Sequence, residues 1–368
     1  MGFQLPEYHP PDFHRPSLAD APCAVFQEVL HDGVAPDNYH ATSIFPEYFH
    51  LAPTAWVLAA PSRMDCVTVR HPDNTLEVKE FRRLKKGEMV AVGRTDNGED
   101  GIWVHTEGFA TVQGSREKFA FRASRTRETS FSIDYDELYG LLKHEKKHGY
   151  VVWVLGPAVV FDYDARVAFS VLIEEGFVDA MLAGNALATH DIEGALFGTA
   201  LGQEIYSKRM VEQGHYRHLD AINRIRKAGS MKNAVQEGVL ANGVMHALIN
   251  KGIPFVLTGS IRDDGPLPEV VADAYLAQDK MRAVTAQATT IIALATQLHT
   301  IATGNLSPSF ILDPRFGVRP VYFYSVDMSE FAANKLSDRG SLSAKSILTN
   351  VQDFVVTLHR GLQRDVDQ

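Results

Sequence analysis

The chain has 368 residues, 45% hydrophobic and 22% charged, a globular balance with enough apolar side chain for a sizeable core, which excludes wholesale disorder and collagen-like repeats. Lys and Arg total 36 against 45 Asp and Glu, a formal net charge of −9, so the surface repels phosphate backbones and nucleic acid is not the expected partner. Two cysteines, Cys23 and Cys66, make no disulfide framework or zinc-finger spacing, and the polar, Pro-rich start lacks a signal-peptide core; a cytoplasmic, enzyme-sized protein is expected.

The length suggests two domains, and the texture changes near residue 130. Before it, short apolar runs at 56–58, 66–69, 89–92 and 102–105 are separated by Pro, Gly, Asn and Asp, which predicts strands joined by turns. Within this part Arg82, Arg83, Lys85 and Lys86 precede a Gly turn and read as a solvated basic turn. The expected division is a β-rich region over 1–130 and a second region over 131–368.

From residue 133 onward strands and helices alternate. The run 151–155 is apolar throughout and closed by Gly-Pro; 165–176 has helical spacing and ends on Gly; 178–182 is again short and apolar. A strand over 253–258, a helix over 268–282, strands over 289–295 and 321–327, a helix over 329–339, a strand over 347–350 and a last helix through Arg360 continue the rhythm. The stretch 283–312 carries no Asp, Glu, Lys or Arg, but Thr and Gln interrupt it. It reads as a buried strand followed by a polar loop rather than a membrane span. Strands apolar on both faces with crossover helices predict a parallel, doubly wound sheet.

In such sheets ligands bind beyond the carboxyl ends of the strands. The segment 184–191, GNALATHD, reads as one strand-end loop and 259–268, GSIRDDGPLP, as another. Gly184 and Gly259 allow close backbone approach, and a helix N-terminus beyond would hold a diphosphate; both segments are also ordinary turn chemistry. Thr296, Gln297, Leu298 and His299 follow a third strand. Asp327 ends a fourth, where it could accept ribose hydroxyls or cap the helix beginning at Ser329. No G-x-G-x-x-G, P-loop, H-E-x-x-H, C-x-x-C or G-x-S-x-G is present. His215 and His218 have helical spacing but no further ligands, so no metal is expected. The basic segment 216–227 reads as a solvated helix face or an anion site.

The runs GNALATHDIEGALFGTALG (184–202), HLDAINRIRKAG (218–229), GIPFVLTGSIRDDGPLP (252–268) and ATQLHTIATGN (295–305), with LKKGEMVAVG and VDMSEFAANKLSDRGS at the two ends, resemble the archaeal-type ornithine cyclodeaminases. That family carries a lysine-oxoglutarate reductase/saccharopine dehydrogenase (LOR/SDH) label, and a related module forms the C-terminal half of bifunctional arginine dihydrolase/ornithine cyclodeaminases. The resemblance implies an α/β fold, with a Rossmann-like parallel sheet akin to the NAD-binding fold of deoxyhypusine synthase preceded by a smaller β-rich domain. NAD is the implied cofactor. Its implied contacts are Asn185, Ala186, Asp264, Thr296, Gln297, Leu298, His299, Asp327, Asn350 and Val351; Asn350 stands where many relatives are expected to carry an acid.

The implied reaction is a hydride-borrowing lyase reaction. NAD takes a hydride from the α-carbon of L-ornithine, the δ-amine closes on the imine, ammonia leaves, and the hydride returns to give L-proline. Such a site must clamp a carboxylate, for which Arg262 is suited, and move protons, for which Asp264, Asp263 and His190 are the candidates with His299 in reserve. Three other readings stay open: an NAD-dependent oxidoreductase of another basic amino acid, a non-catalytic NAD or amino-acid binder, and an alkyl transfer needing a Lys that the strand-end loops lack. A small amino-acid substrate and a homo-oligomer are expected, with no membrane partner.

Overall fold

The computed structural model describes residues 3–53, 55–109, 132–263, 265–329 and 341–364. The expected division at 130/131, Asp264 and most of the expected 329–339 helix lie outside them.

The N-terminal region holds helix α1 (Pro16–Ala19) and strands β1 (Val25–Glu28), β2 (Glu47–Ala52), β3 (Ala55–Leu58), β4 (Val67–Arg70), β5 (Leu76–Lys79), β6 (Met89–Val92) and β7 (Ile102–Val104). They form two antiparallel sheets, β1-β6-β4-β5 and β3-β2-β7. The expected β-rich texture is therefore found, with Phe49, Ala91 and Ile102 in one small core and Val67, Val69, Leu84 and Val90 in the other.

The rest alternates. Helix α2 (Ser132–His148), β8 (Val151–Leu155), α3 (Tyr163–Glu174), β9 (Ala180–Gly184) and α4 (Asn185–Phe197) lead to a small hairpin, β10 (Thr199–Ala200) with β11 (Gln203–Glu204). Helices α5 (Arg217–Ala228), α6 (Met231–Gln236) and α7 (Val244–Lys251) precede β12 (Phe255–Thr258), α8 (Ala274–Thr285), β13 (Thr290–Leu294) and α9 (Gln297–Leu306). A second hairpin, β14 (Phe310–Asp313) with β15 (Gly317–Pro320), is followed by β16 (Tyr322–Asp327), β17 (Ser343–Leu348) and α10 (Val351–Gln363).

Six of these strands make one wholly parallel sheet in the order β12-β9-β8-β13-β16-β17. Numbered by chain position this is 3-2-1-4-5-6, the order of dinucleotide-binding doubly wound sheets, and it reverses between β8 and β13. Alternate residues explain the continuous apolar runs. Val151, Trp153 and Leu155 join one core with α3, α4, α7 and α10, whereas Val152 and Val154 join the other with Met281 of α8 and Leu306 of α9.

Several expected boundaries move for visible reasons. Residues 177–178 are apolar but lie before β9: Phe177 accepts a 2.9 Å bond from Trp153 Nε1, and Asp179 Oδ2 accepts from the Val151 amide. Residues 268–269 form a turn, Val271 bridges Thr258, and α8 starts only after Asp273 caps Leu276 at 2.7 Å. Strand β17 begins at Ser343 rather than 347, since an edge strand tolerates the polar residues that hide it.

The basic turn is not solvated as expected. Arg82 and Arg83 reach Asp279 of α8 at 2.7 and 2.6 Å, Arg282 of α8 pairs with Glu80 and, at 2.9 Å, with Asp279, and Arg63 pairs with Glu80. This ionic cluster fastens the antiparallel region to the outer face of the parallel sheet. Lys85 and Lys86 fit the expectation: both are exposed, Lys85 in a pair with Asp32 at 2.9 Å.

Candidate active site

The crest of the parallel sheet is built from the residues that leave each strand. At the switch point the Gly156 amide donates to Leu294 O at 2.8 Å, and a Cβ at 156 would stand 1.9 Å from Ala295 O. Only glycine permits that approach. Ala295 itself takes a left-handed turn, φ +46°, before α9 begins.

The segment 184–191, expected as a loop, is a helix from Asn185 onward. Strand β9 ends on Gly184 and α4 starts at the next residue, with no side chain capping its first turn, so its leading N–H groups face the crest unpaired by a cap. The segment after β13, expected as a polar loop, is α9, likewise without a side-chain cap at Thr296. The two helix starts touch. A Cβ at 184 would lie 2.9 Å from His299 Cε1; His299 Nε2 sits 2.6 Å from Thr258 Oγ1, and its Nδ1 3.3 Å from Thr296 Oγ1. Burial pushes the His299 imidazole below its ordinary value and the charge of Asp263 works the other way. The ends of β9, β12 and β13 thus meet at a half-buried imidazole.

Asn185 is itself buried, its Oδ1 accepting from the Leu267 amide at 3.1 Å and from Thr189 Oγ1 at 3.3 Å. It ties α4 to the loop after β12, while Ala186 is half-buried on the same turn. Gln297 and Leu298 are exposed, Leu298 by 75%, and Met328 beyond the adjacent β16 is as open. Asp327 Oδ1 accepts from the Ser329 amide at 2.8 Å, and among the described residues its second carboxylate oxygen has no hydrogen-bond partner. Asn350 caps α10 by accepting from Gln352 N at 2.8 Å, and the Val351 side chain is core. Only the Asn350 amide nitrogen and the Val351 backbone are left for a ligand.

Arg262 is exposed beside β12, and Asp263 turns back to accept from the Ser260 amide at 2.8 Å. His190 lies on α4 with Nδ1 2.8 Å from Glu193 Oε2 and its ring edge-on to Phe161, centroids 5.3 Å apart. Glu193 escapes sequence reading because GNALATHD reads as a loop; on a helix its i+3 spacing from His190 is the signal. Asp191, in the same segment, is structural: it is fully buried, pairs with Arg166 Nε at 2.7 Å and caps Val244 and Met245 of α7.

The basic helix α5 is structural too. Arg217 and Arg224 lie over the Phe197 ring and Arg226 donates to Pro266 O, while Arg224, Arg226 and Lys227 stay exposed, as a solvated face expects. A cleft of about 680 Å³, lined by Tyr163, Arg166, Glu174, Tyr206 and His246 among others, contains none of these strand-end residues.

A crest with two uncapped helix starts, a glycine between them, a carboxylate on β16 and open apolar side chains defines a dinucleotide-binding α/β protein. Residues 139–358 match the family model for the Rossmann-fold C-terminal part of ArgZ-like arginine dihydrolases. The chain is 37% identical over 347 residues to an ornithine cyclodeaminase of Methanococcus maripaludis, across 93% of this chain and 80% of that protein. A crystal structure of a LOR/SDH protein from Methanococcus maripaludis S2 superposes with a TM-score of 0.83 at 36% identity, covering 93% of this chain and 99% of the other. The bifunctional arginine dihydrolase/ornithine cyclodeaminase AgrE, crystallised with ornithine and NAD+, gives 0.58 at 32% identity over 94% of this chain and 46% of its own. The chain belongs to this ArgZ-like ornithine cyclodeaminase family of enzymes.

Proposed function

We propose that the chain is an NAD-dependent ornithine cyclodeaminase, converting L-ornithine to L-proline and ammonia. The observation that carries the reading is the Gly184–His299–Thr258 contact, where the backbone at 184 is so close to the imidazole that a Cβ would stand 2.9 Å from His299 Cε1. The residues fit a dinucleotide: the bare backbone of Gly184 and the amides of Asn185 and Ala186 for the diphosphate, the segment Thr296, Gln297, Leu298, His299 along one edge, Asp327 for ribose hydroxyls, and Asn350 with the Val351 backbone at the far side. Asp264 completes the implied set. The nicotinamide supplies hydride acceptance and return at the substrate α-carbon.

The chain's own residues do the rest in this reading. Arg262 clamps the carboxylate as a bidentate donor, and Asp263, Asp264 and His190 are the candidate proton carriers. The reading includes a homo-oligomer, a cytoplasmic setting and a division of the chain at 130/131. No helix among the described residues is long and apolar enough to cross a membrane.

The test is incubation of the protein with NAD and L-ornithine. Proline and ammonia in equal amounts, with no net reduced cofactor, support the reading. Stoichiometric cofactor reduction instead indicates an ordinary oxidoreductase of a basic amino acid, and cofactor binding without turnover indicates a sensor.

A further inference from the structure

Four carboxylates in the described residues have no exposure at all: Glu47, Glu145, Asp191 and Glu193. Asp191 is matched by Arg166 and Glu145 by Arg319, so their charges are neutralised where they stand. Glu47 faces His40 within the antiparallel region, where the imidazole is as buried as its partner. Glu193 is different. Oε1 accepts from Thr199 Oγ1 at 2.9 Å and from the Gly202 amide at 3.3 Å, and Oε2 faces His190 Nδ1 at 2.8 Å. No Arg or Lys pairs with it among the described residues, so the only group that can answer its charge is the imidazole.

His190 keeps 12% of its side chain exposed. It stands against Phe161, the residue by which the chain leaves the crest after β8. Phe161 in turn lines a cleft of about 220 Å³ together with Ala200, Leu201, Gln203, Glu204, Lys208 and Gln352, the last of which is two residues past Asn350. At about 30 Å³ per water this holds roughly seven water-sized groups, the scale of an amino acid rather than of a nucleotide.

We infer that Glu193 is a positioning residue that holds His190 in the Nδ1–H tautomer, and that His190 Nε2 is the base that moves the proton between the two amino groups of the diamino acid. This rests on the cyclodeaminase reading and names its proton carrier. At the iminium stage, with the α-nitrogen as C=NH2+, the δ-nitrogen lone pair forms the bond to the α-carbon and the C=N π pair goes to the α-nitrogen, leaving the ring nitrogen cationic. His190 Nε2 takes one proton from the ring nitrogen and delivers it to the α-amine. The Cα–N bond then breaks, its electron pair leaving with ammonia while the ring-nitrogen lone pair forms the cyclic C=N bond, and the imidazole ends neutral. Glu193 accepts from Nδ1–H throughout, as the orienting carboxylate does in other imidazole bases.

The test uses the full chain with NAD, wild type beside His190→Gln and Glu193→Gln. His190→Gln lowers kcat for ornithine about 10²- to 10⁴-fold, the usual worth of general acid–base catalysis. Glu193→Gln lowers it about ten- to a hundred-fold, as loss of an orienting partner does. KM and the Kd for NAD stay within about two-fold in both, which a merely structural role would not give. Nitrogen-15 spectra of wild type show His190 protonated at Nδ1, and Glu193→Gln loses that preference. A His190→Gln enzyme with kcat within about three-fold of wild type overturns the inference, and so does an Nε2–H tautomer in wild type. If wild type binds NAD but forms no proline, the cyclodeaminase reading falls, and the tautomer measurement alone then decides for or against the dyad.

Discussion

Gly184 and His299 stand so close that a single added methyl would collide: a Cβ on residue 184 lies 2.9 Å from His299 Cε1. The backbone at 184 has φ −99°, which any residue adopts, so the penalty of a side chain there is purely one of space. Gly184→Val is expected to weaken NAD binding at least ten-fold by titration calorimetry while the far-ultraviolet dichroism of the fold is unchanged. Undiminished affinity would remove close backbone approach from the account.

Thr258, the strand neighbour of Gly184, holds the same imidazole at the adjacent ring atom, with Oγ1 2.6 Å from Nε2. Thr258→Val keeps the shape and removes the hydroxyl, at a cost of about 0.5–1.5 kcal/mol in stability and a fall in turnover. Thr258→Ser restores both. If valine and serine behave alike in the assay, the hydroxyl is not what orients His299.

The Arg166–Asp191 pair is buried on both sides, at 5% and 0% exposure, and Asp191 also caps α7. Asp191→Ala is expected to cost about 3–5 kcal/mol, because it strands a guanidinium in the core. Lys85→Ala, which breaks an exposed pair, should cost under about 1 kcal/mol. Urea midpoints of the two variants make the comparison.

Acid should loosen the joint between the antiparallel region and α8. Burial raises the Asp279 carboxyl, but hydrogen bonds from Arg83, Arg82 and Arg282 outweigh it and hold the group at about 2 against an ordinary 3.8. A depressed carboxylate contributes its stability above the unfolded value and loses it as pH falls through the folded one. The difference in denaturation midpoint between wild type and Asp279→Asn should therefore be full above pH 3.8 and vanish near about 2. A difference constant across that window would mean that the cluster adds no charge-dependent stability.

The parallel sheet was legible because its strands are buried on both faces, which no amphipathic helix imitates. The strand ends led in turn to Asn185, His299 and Asp327, and the family resemblance to Asn350; all of them stand at the crest. Helix α4 was hidden because it starts one residue after a strand and is buried on most of its surface, leaving no polar stripe to mark its period. Thr and Gly made α9 look like a loop, and packing overrides that weak propensity. Losing α4 also lost Glu193, since its relation to His190 exists only on a helix. Arg82 and Arg83 looked solvated because Asp279 is almost two hundred residues away along the chain, and no local pattern announces a partner at that distance.

At the switch point the floor is peptide against peptide, with residue 156 pressed on the carbonyl of residue 295. The depth of that notch is set by main-chain covalent geometry, so exchanging neighbouring side chains cannot deepen or fill it. Attempts to retune coenzyme preference therefore have purchase only at the rim, on Leu298 and Asp327, where side chains rather than peptide planes face outward.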